Sequence, residues 1–473
     1  MSVPNSASGV ASPGSGWDSR PMQRVAVINV VGLSPSLLGP GMPRLTAFAE
    51  KHGMQAFPPA FPAVTCTAQS SMLTGTSPGE HGIVANGWYD RESAEVRFWK
   101  QSNHLVRGEK VWEHLRKKHA GFTCAKLFWW YNMYSSADIA MTPRPLYPAD
   151  GRKVFDIHTQ PMDLREKVKA DLGEFPFPSF WGPGAGIACS EWIAASAKWT
   201  EEKEKPTLSL VYLPHLDYGL QKWGPGAPEM AAELQAIDRV AGELIGFLES
   251  RGVKVMVVSE YGISKVTRPV HLNRIFRKQG WIQIKDELGL ETLDAGGSKV
   301  FAVADHQMAH IYVNDRSLLP RVRALLEETA GVDEVRVTGE MWGGGIGAER
   351  AGDLVAISAA DAWFTYYFWE DDAKAPDYAR CVDIHRKPGY DPVELFLDPK
   401  IANPKLKIAK FLLKKKLGFR TLLDVIPLDA GLVKGSHGRD VVEAGERPLV
   451  IGSPVPVGCA EDVFGAIVAA VEG

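Results

Sequence analysis

Three stretches of the chain, RVAVINVVGL (residues 24–33), TLSLVYLP (207–214) and VKVMVVSEYG (253–262), are almost continuously apolar and each runs into Gly or Pro. They lack the alternation of a strand with one wet face, so both faces must be covered, as in a parallel sheet. Segments of helical period follow: MPRLTAFAEKHG, which stops at Gly53, residues 228–250, and HLNRIFRKQG. Buried strand, loop and helix in repetition predict a doubly wound, mostly parallel α/β sheet flanked by helices. Ligands of such sheets sit beyond the carboxyl ends of the strands. That rule collects Asn29, Val31, Thr65, His215, Asp217, Gln221, Glu260 and Tyr261.

At 473 residues the chain suits one large α/β domain with insertions, or two to three domains. Residues 23–262 and 404–473 read as the core, and residues 263–403, of different texture, as an inserted cap. The tail regains buried-strand character and brings His437 with it. Residues 1–22, rich in Ser, Gly and Pro and without an apolar signal segment, are expected to be a flexible arm. A net charge of -3 shows no basic excess for a nucleic-acid polymer or an anionic membrane, and oligomeric state stays open. Five cysteines without a CxxC spacing argue against a thiolate zinc site and a disulfide framework, so the cytoplasm is expected.

The stretch AFPAVTCTAQSSMLTG (60–75) sets Thr65 between an extended run and a helix start. A hydroxyl beside the free N–H groups of a first turn is a candidate nucleophile toward phosphate. The plainer alternative is an N-cap.

Taken in order, these pieces resemble the alkaline phosphatase superfamily, and within it the type I phosphodiesterase/nucleotide pyrophosphatase family, to which phosphonoacetate hydrolase is also similar. The likeness is densest in FPAVTCTAQSSMLTGTSPGEHGIVANGWYD (61–90), where the family's threonine nucleophile falls on Thr65 and its continuation on Thr74, Gly75, Pro78, His81, Gly82, Ile83 and Asn86. Shorter elements follow in the same order: DYGLQKWGP (217–225), SEYGI (259–263) and SHGRD (436–440). The resemblance implies an alkaline phosphatase-like fold and hydrolysis of a phosphodiester, pyrophosphate or related ester, with a small phosphate ester or other anion as substrate. It also implies two divalent metals, usually zinc, which make an alkanol nucleophilic and hold the phosphoryl oxygens.

The sequence departs from that pattern at the metal positions. Val31 stands where the family has an Asp, Glu260 and Tyr261 replace an Asp-His pair, and Gln221 replaces a His. Thr65, Asp217 and His437 are kept. Two carboxylates instead of three lead us to expect one divalent ion per chain, Zn, Mn, Mg or Ca, on Asp217 and His437 with Gln221, and Glu260 on the nucleophile side. Asn86 and Tyr261 are assigned to the substrate pocket. The alternative is a catalytically degenerate member that binds an anionic ligand or a partner protein.

Within the cap, ADHQMAH carries His306 and His310, which a strand would set on one face about 13 Å apart. DIHRKPGYD carries His385, Arg386 and Lys387, and these with His306 are candidate substrate contacts. The basic run PKLKIAKFLLKKKLGFR (404–420) reads as a helix buried on one face and solvated on the other, in preference to a membrane element. Trp129, Trp130, Tyr131 and Tyr134 read as core.

Overall fold

A computed structural model describes residues 22–473; all of the arm expected from sequence except Met22 lies outside the described residues. Strand Val25–Val30 is buried at every position and pairs in parallel on both sides, with Leu208–Leu213 and with Lys254–Val258. The complete order across the sheet is Met54–Ala56, Leu449–Ile451, Lys254–Val258, Val25–Val30, Leu208–Leu213, Cys124–Leu127, Ile139–Pro143, Ile157–Gln160. The five inner strands from Lys254–Val258 to Ile139–Pro143 are parallel, and the outer pairings are antiparallel. Fully burying an aliphatic side chain is worth about 1.5–3 kcal/mol, which is why the apolar runs occupy the sheet's middle.

Register decides where the functional residues emerge. Asn29 lies opposite both Tyr212 and Val258, so the residues just past the three central strands leave the sheet at one edge. Two helical groups cover the sheet: Ile187–Lys203 with Met230–Ser250, and Thr65–Thr74 with Asp462–Glu472. The segment after Leu208–Leu213 is helical from His215 to Trp223, so Asp217 and Gln221 lie one turn apart on a helix.

Residues 300–358 build a second, antiparallel sheet in the order Val300–Asp305, Met308–Val313, Leu354–Ser358, Val332–Val337. Here His306 and His310 differ from the sequence expectation of one strand. His306 sits at the hairpin tip with φ 61°, and His310 lies on the return strand opposite Val303. An aromatic cluster of Trp363, Tyr366, Tyr367 and Trp369 packs against Val425 and Ile426. The chain returns to the main sheet only at Leu449–Ile451.

The basic run forms the helix Pro404–Lys416, and none of its residues is buried. The expectation of one buried face fails because its apolar residues point two ways, Ile408 toward the aromatic cluster and Leu406 and Leu413 to solvent. Trp129, Trp130 and Tyr131 are buried as expected, whereas Tyr134 is exposed.

Candidate functional site

Thr65 is the first residue of the helix Thr65–Thr74, and the capping position belongs to Val64 in extended conformation (φ −132°, ψ 154°). The Cys66 N–H is satisfied by Asn86 Oδ1 at 3.0 Å, and Asn86 is clamped through its N–H and Nδ2 to the Asp305 carboxylate at 2.7 and 3.1 Å. Asn86 is thus a bracket between the helix start and the second sheet. The Thr65 hydroxyl, relieved of capping, lies 3.0 Å from Tyr261 Oη, which donates to Asp217 Oδ1 at 3.3 Å.

From Asp217 the hydrogen-bond chain continues. Gln221 Nε2 donates to Asp217 Oδ2 at 2.7 Å, and Tyr390 Oη donates to Gln221 Oε1 at 3.0 Å. Four rings lie in a row beside it: Tyr261 stacks on His437 (3.6 Å between centroids), His437 is tilted against His306 (3.6 Å), and His306 stacks on Tyr390 (3.7 Å). His437 Nδ1 donates to Ala63 O at 2.7 Å, a partner that assigns the tautomer and leaves the Nε2 lone pair free. That nitrogen has no hydrogen-bond partner and lies 3.8 Å from Asp217 Oδ1. Gly435 lets this segment close on the Asp217 helix, since a Cβ there would come within 2.1 Å of Leu220 O.

Glu260 stands on the other side of Thr65. Its Oε1 accepts from Asn29 Nδ2 and from Gln69 Nε2, each at 2.6 Å, while its Oε2 has no partner. Thr65, Asp217, Gln221, Glu260, Tyr261, His306, Tyr390 and His437 are all buried. Burial lifts the Asp217 carboxyl to about 7 and the Glu260 carboxyl to about 8, against the opposing pull of their hydrogen bonds. Burial likewise lowers the His437 imidazole to about 3 and holds Tyr261 well above the usual phenol value. Among the described residues no Lys or Arg pairs with Asp217 or Glu260.

The residues do not fit a pair of divalent ions. Among the described residues no group of three or more His, Cys, Asp or Glu side chains converges on a metal position. Amide and phenol donors already occupy Asp217 and Glu260 Oε1, and Val31 contributes no ligand atom. One ion is a different case, because the unpartnered Nε2 of His437 faces Asp217 across 3.8 Å.

Of the expected substrate contacts, His306 and Tyr261 join the cluster, whereas His385, Arg386 and Lys387 bond elsewhere. His385 Nδ1 meets Phe98 O at 3.3 Å, and Arg386 pairs with Asp377 at 3.0 Å. Lys387 is buried between Asp391 (2.7 Å) and Glu394 (2.6 Å). Carboxylates of the surrounding segment hold Arg386 and Lys387, and a backbone carbonyl holds His385. Sequence reading missed Gln69 and Tyr390. Gln69 was signalled only by standing one helical turn past Thr65, and Tyr390 by nothing local.

A family model described as type I phosphodiesterase / nucleotide pyrophosphatase matches residues 25–391. An uncharacterized pyrophosphatase/phosphodiesterase of Schizosaccharomyces pombe is 27% identical over 266 residues, covering 53% of this chain and 47% of that protein. Ectonucleotide pyrophosphatase/phosphodiesterase family member 1 of Homo sapiens is 23% identical over 228 residues, 46% of this chain and 20% of that one. The match thus spans less than half the length of either relative. Two solved structures share the fold. Phosphonoacetate hydrolase from Sinorhizobium meliloti, in complex with phosphonoformate, aligns with a TM-score of 0.59 at 16% identity, covering 95% of this chain and 96% of that one. Murine ectonucleotide pyrophosphatase / phosphodiesterase 5, in an inactive form with AMP, aligns at 0.57 and 14% identity, covering 95% of each chain.

Proposed function

The chain belongs to the type I phosphodiesterase / nucleotide pyrophosphatase family, a family of hydrolases, and from that premise we propose that it hydrolyses a small phosphate ester with Thr65 as nucleophile. The observation that carries this is the freedom of the Thr65 hydroxyl. It opens a helix without capping it and points into a hydrogen-bonded route toward Asp217. In the reaction Thr65 Oγ1 forms a bond to phosphorus as the bond from phosphorus to the leaving oxygen breaks. The Thr65 proton leaves along its hydrogen bond to Tyr261 Oη while the Tyr261 proton moves to Asp217 Oδ1. The proton on Asp217 leaves with the departing oxygen, and water then adds its hydroxyl to phosphorus and its proton to Thr65 Oγ1 as that P–O bond breaks, releasing a phosphate monoester from a diester substrate.

A single divalent ion would be held by Asp217 and His437, and would supply the positive charge that no side chain of the cluster offers. Tyr261 and His306 flank it as the stacked wall of the pocket, and residues 263–403 are assigned as the cap that contributes His306 and Tyr390. Five unpaired cysteines support a reducing compartment, the cytoplasm. Among the described residues no helix is long and apolar enough to cross a membrane.

The test is turnover of a nitrophenyl phosphodiester by wild type and by Thr65→Ala with Zn²⁺, Mn²⁺, Mg²⁺ or Ca²⁺. Loss of activity in the variant supports the reading, and unchanged activity removes Thr65 from the chemistry. A second reading, a degenerate member that only binds an anion or partner, is favoured by Val31, Gln221 and Tyr261 at the departed positions. No turnover by wild type with any of the four ions would select it.

A further inference from the structure

The helix Pro404–Lys416 has two apolar faces. At 100° per residue, Pro404, Lys407, Ile408 and Phe411 fall within about 100° of one another, and these are the helix's half-exposed positions. Ile408 rests on the aromatic cluster, and Lys407 turns inward to Asp424 at 2.9 Å. On the opposite side Leu406, Ala409, Leu413 and Leu417 fall within about 80°, and all four are exposed. Leu406, Leu413 and Leu417 expose 50%, 58% and 65% of their surface, and Phe419 beyond them exposes 64%. A soluble face of this kind would ordinarily be polar.

Charge surrounds the outer stripe. Residues 404–423 hold Lys405, Lys407, Lys410, Lys414, Lys415, Lys416 and Arg420 and no Asp or Glu, in a chain of net charge -3. Lys405, Lys410, Lys414 and Lys416 have no acidic partner among the described residues. The helix end is tied to a neighbouring hairpin by Lys415 Nζ to Lys153 O (3.4 Å) and Arg420 to Asp150 O (3.2 Å). That hairpin, closed by a bridge between Leu146 and Val154, exposes Tyr147 and Phe155 as well.

We infer that this helix, with the Tyr147–Phe155 hairpin beside it, is a docking surface for an anionic lipid bilayer. The outer leucine stripe enters the boundary between headgroups and acyl chains, and the flanking lysines meet lipid phosphates. An apolar stripe edged by cations fits the bilayer's order of layers: charge outside, hydrocarbon beneath. The helix is about 20 Å long and lies on the surface without spanning.

The experiment is co-sedimentation of the full chain with vesicles of phosphatidylcholine alone or with phosphatidylglycerol added, at low and high salt. The expected result is partition onto the anionic vesicles about tenfold or more above the neutral ones, falling with salt. Lys410→Glu with Lys414→Glu and Lys416→Glu, and separately Leu413→Ser with Leu417→Ser, are each expected to lose about tenfold in partition with thermal stability unchanged, because these side chains are exposed. Equal binding to both vesicle types, no binding to either, or binding that survives both variants would overturn the inference. So would a dimer of the wild type that the leucine variant dissolves, which assigns the stripe to a second copy. Binding to duplex DNA without binding to vesicles would overturn it too, assigning the lysines to a polyanion.

Discussion

Two buried polar clusters lie in this molecule, and they are built on opposite principles. Around Lys387, every charge is answered: its ammonium sits between Asp391 and Glu394, and Glu394 also accepts from Trp181 Nε1 at 2.6 Å and from the Asp383 N–H at 3.0 Å. Around Thr65, the carboxyls meet only neutral donors, and Glu260 Oε2, His437 Nε2 and His306 Nδ1 have no partner. Fully satisfied buried networks hold a structure in place, and unsatisfied ones are costly unless something else completes them. The contrast separates a brace from a site, even though Lys387 is the more conspicuous phosphate-binding candidate in sequence.

The comparison breaks most visibly through activity. Thr65→Ala is expected to lower phosphodiester turnover by about 10³-fold or more, as removal of a nucleophile does, while stability falls by only the about 0.5–1.5 kcal/mol of one hydrogen bond. Steady-state kinetics beside a denaturant titration reads both numbers; a variant as active as wild type would make the Thr65 cluster another brace.

Lys387→Met should behave in the opposite way. It strands two buried carboxyls, Asp391 and Glu394, and is expected to cost about 3–5 kcal/mol. Urea unfolding would show it, and a shift under about 1 kcal/mol would mean that the triad is not the brace described here.

A third lysine, Lys126, sharpens the contrast because it is as buried as Lys387 but has only the carbonyls of Trp130 and Tyr131, at 2.7 and 2.9 Å. Burial lowers its ammonium to about 7, whereas Asp391 and Glu394 raise that of Lys387 against a like cost of burial. The unfolded chain then holds the extra proton between pH of about 7 and about 10.4, so wild-type stability rises with pH across that window. Relative to Lys126→Met, wild type should gain on the order of a few kcal/mol from pH 7 to 10. Equal melting shifts of the two proteins across that range would contradict the assignment.

The smallest expected effect is on composition. Elemental analysis after dialysis should find at most one divalent ion per chain, lost in His437→Ala. Two ions per chain would mean that Asn29, Gln69 and Gln221 turn away from their carboxylates.

Much of the sheet could be read from the sequence, because a strand buried on both faces writes itself as an unbroken apolar run: residues 25–30, 208–213 and 254–258 did so. Thr65, Asp217, Tyr261, Gln221 and His437 were legible as positions, since each follows a strand or a helix start. Their partners were not. Asn29 meets Glu260 across 231 residues, and Tyr390 meets Gln221 across 169, distances over which local pattern carries no information. His306 misled because a two-residue hairpin turn with a His at positive φ has no Gly or Asn to announce it. The helix at residues 404–416 misled for another reason: two apolar stripes on opposite faces cancel in any reading that looks for one.

The place of Leu449–Ile451 in the sheet sets a timetable for biosynthesis. This strand lies between Met54–Ala56 and Lys254–Val258, and His437, shortly before it, bonds Ala63 across 374 residues. A nascent chain carries Thr65 out of the ribosome long before His437, so the helix start lacks its histidine until some 374 further residues have been made. The apolar edge of Lys254–Val258 waits uncovered for that interval, a period in which long-range pairing is slow and aggregation competes. The Thr65 cluster is therefore completed only after residue 437 has been made, and a ribosome stalled before it releases a chain holding Thr65 without His437.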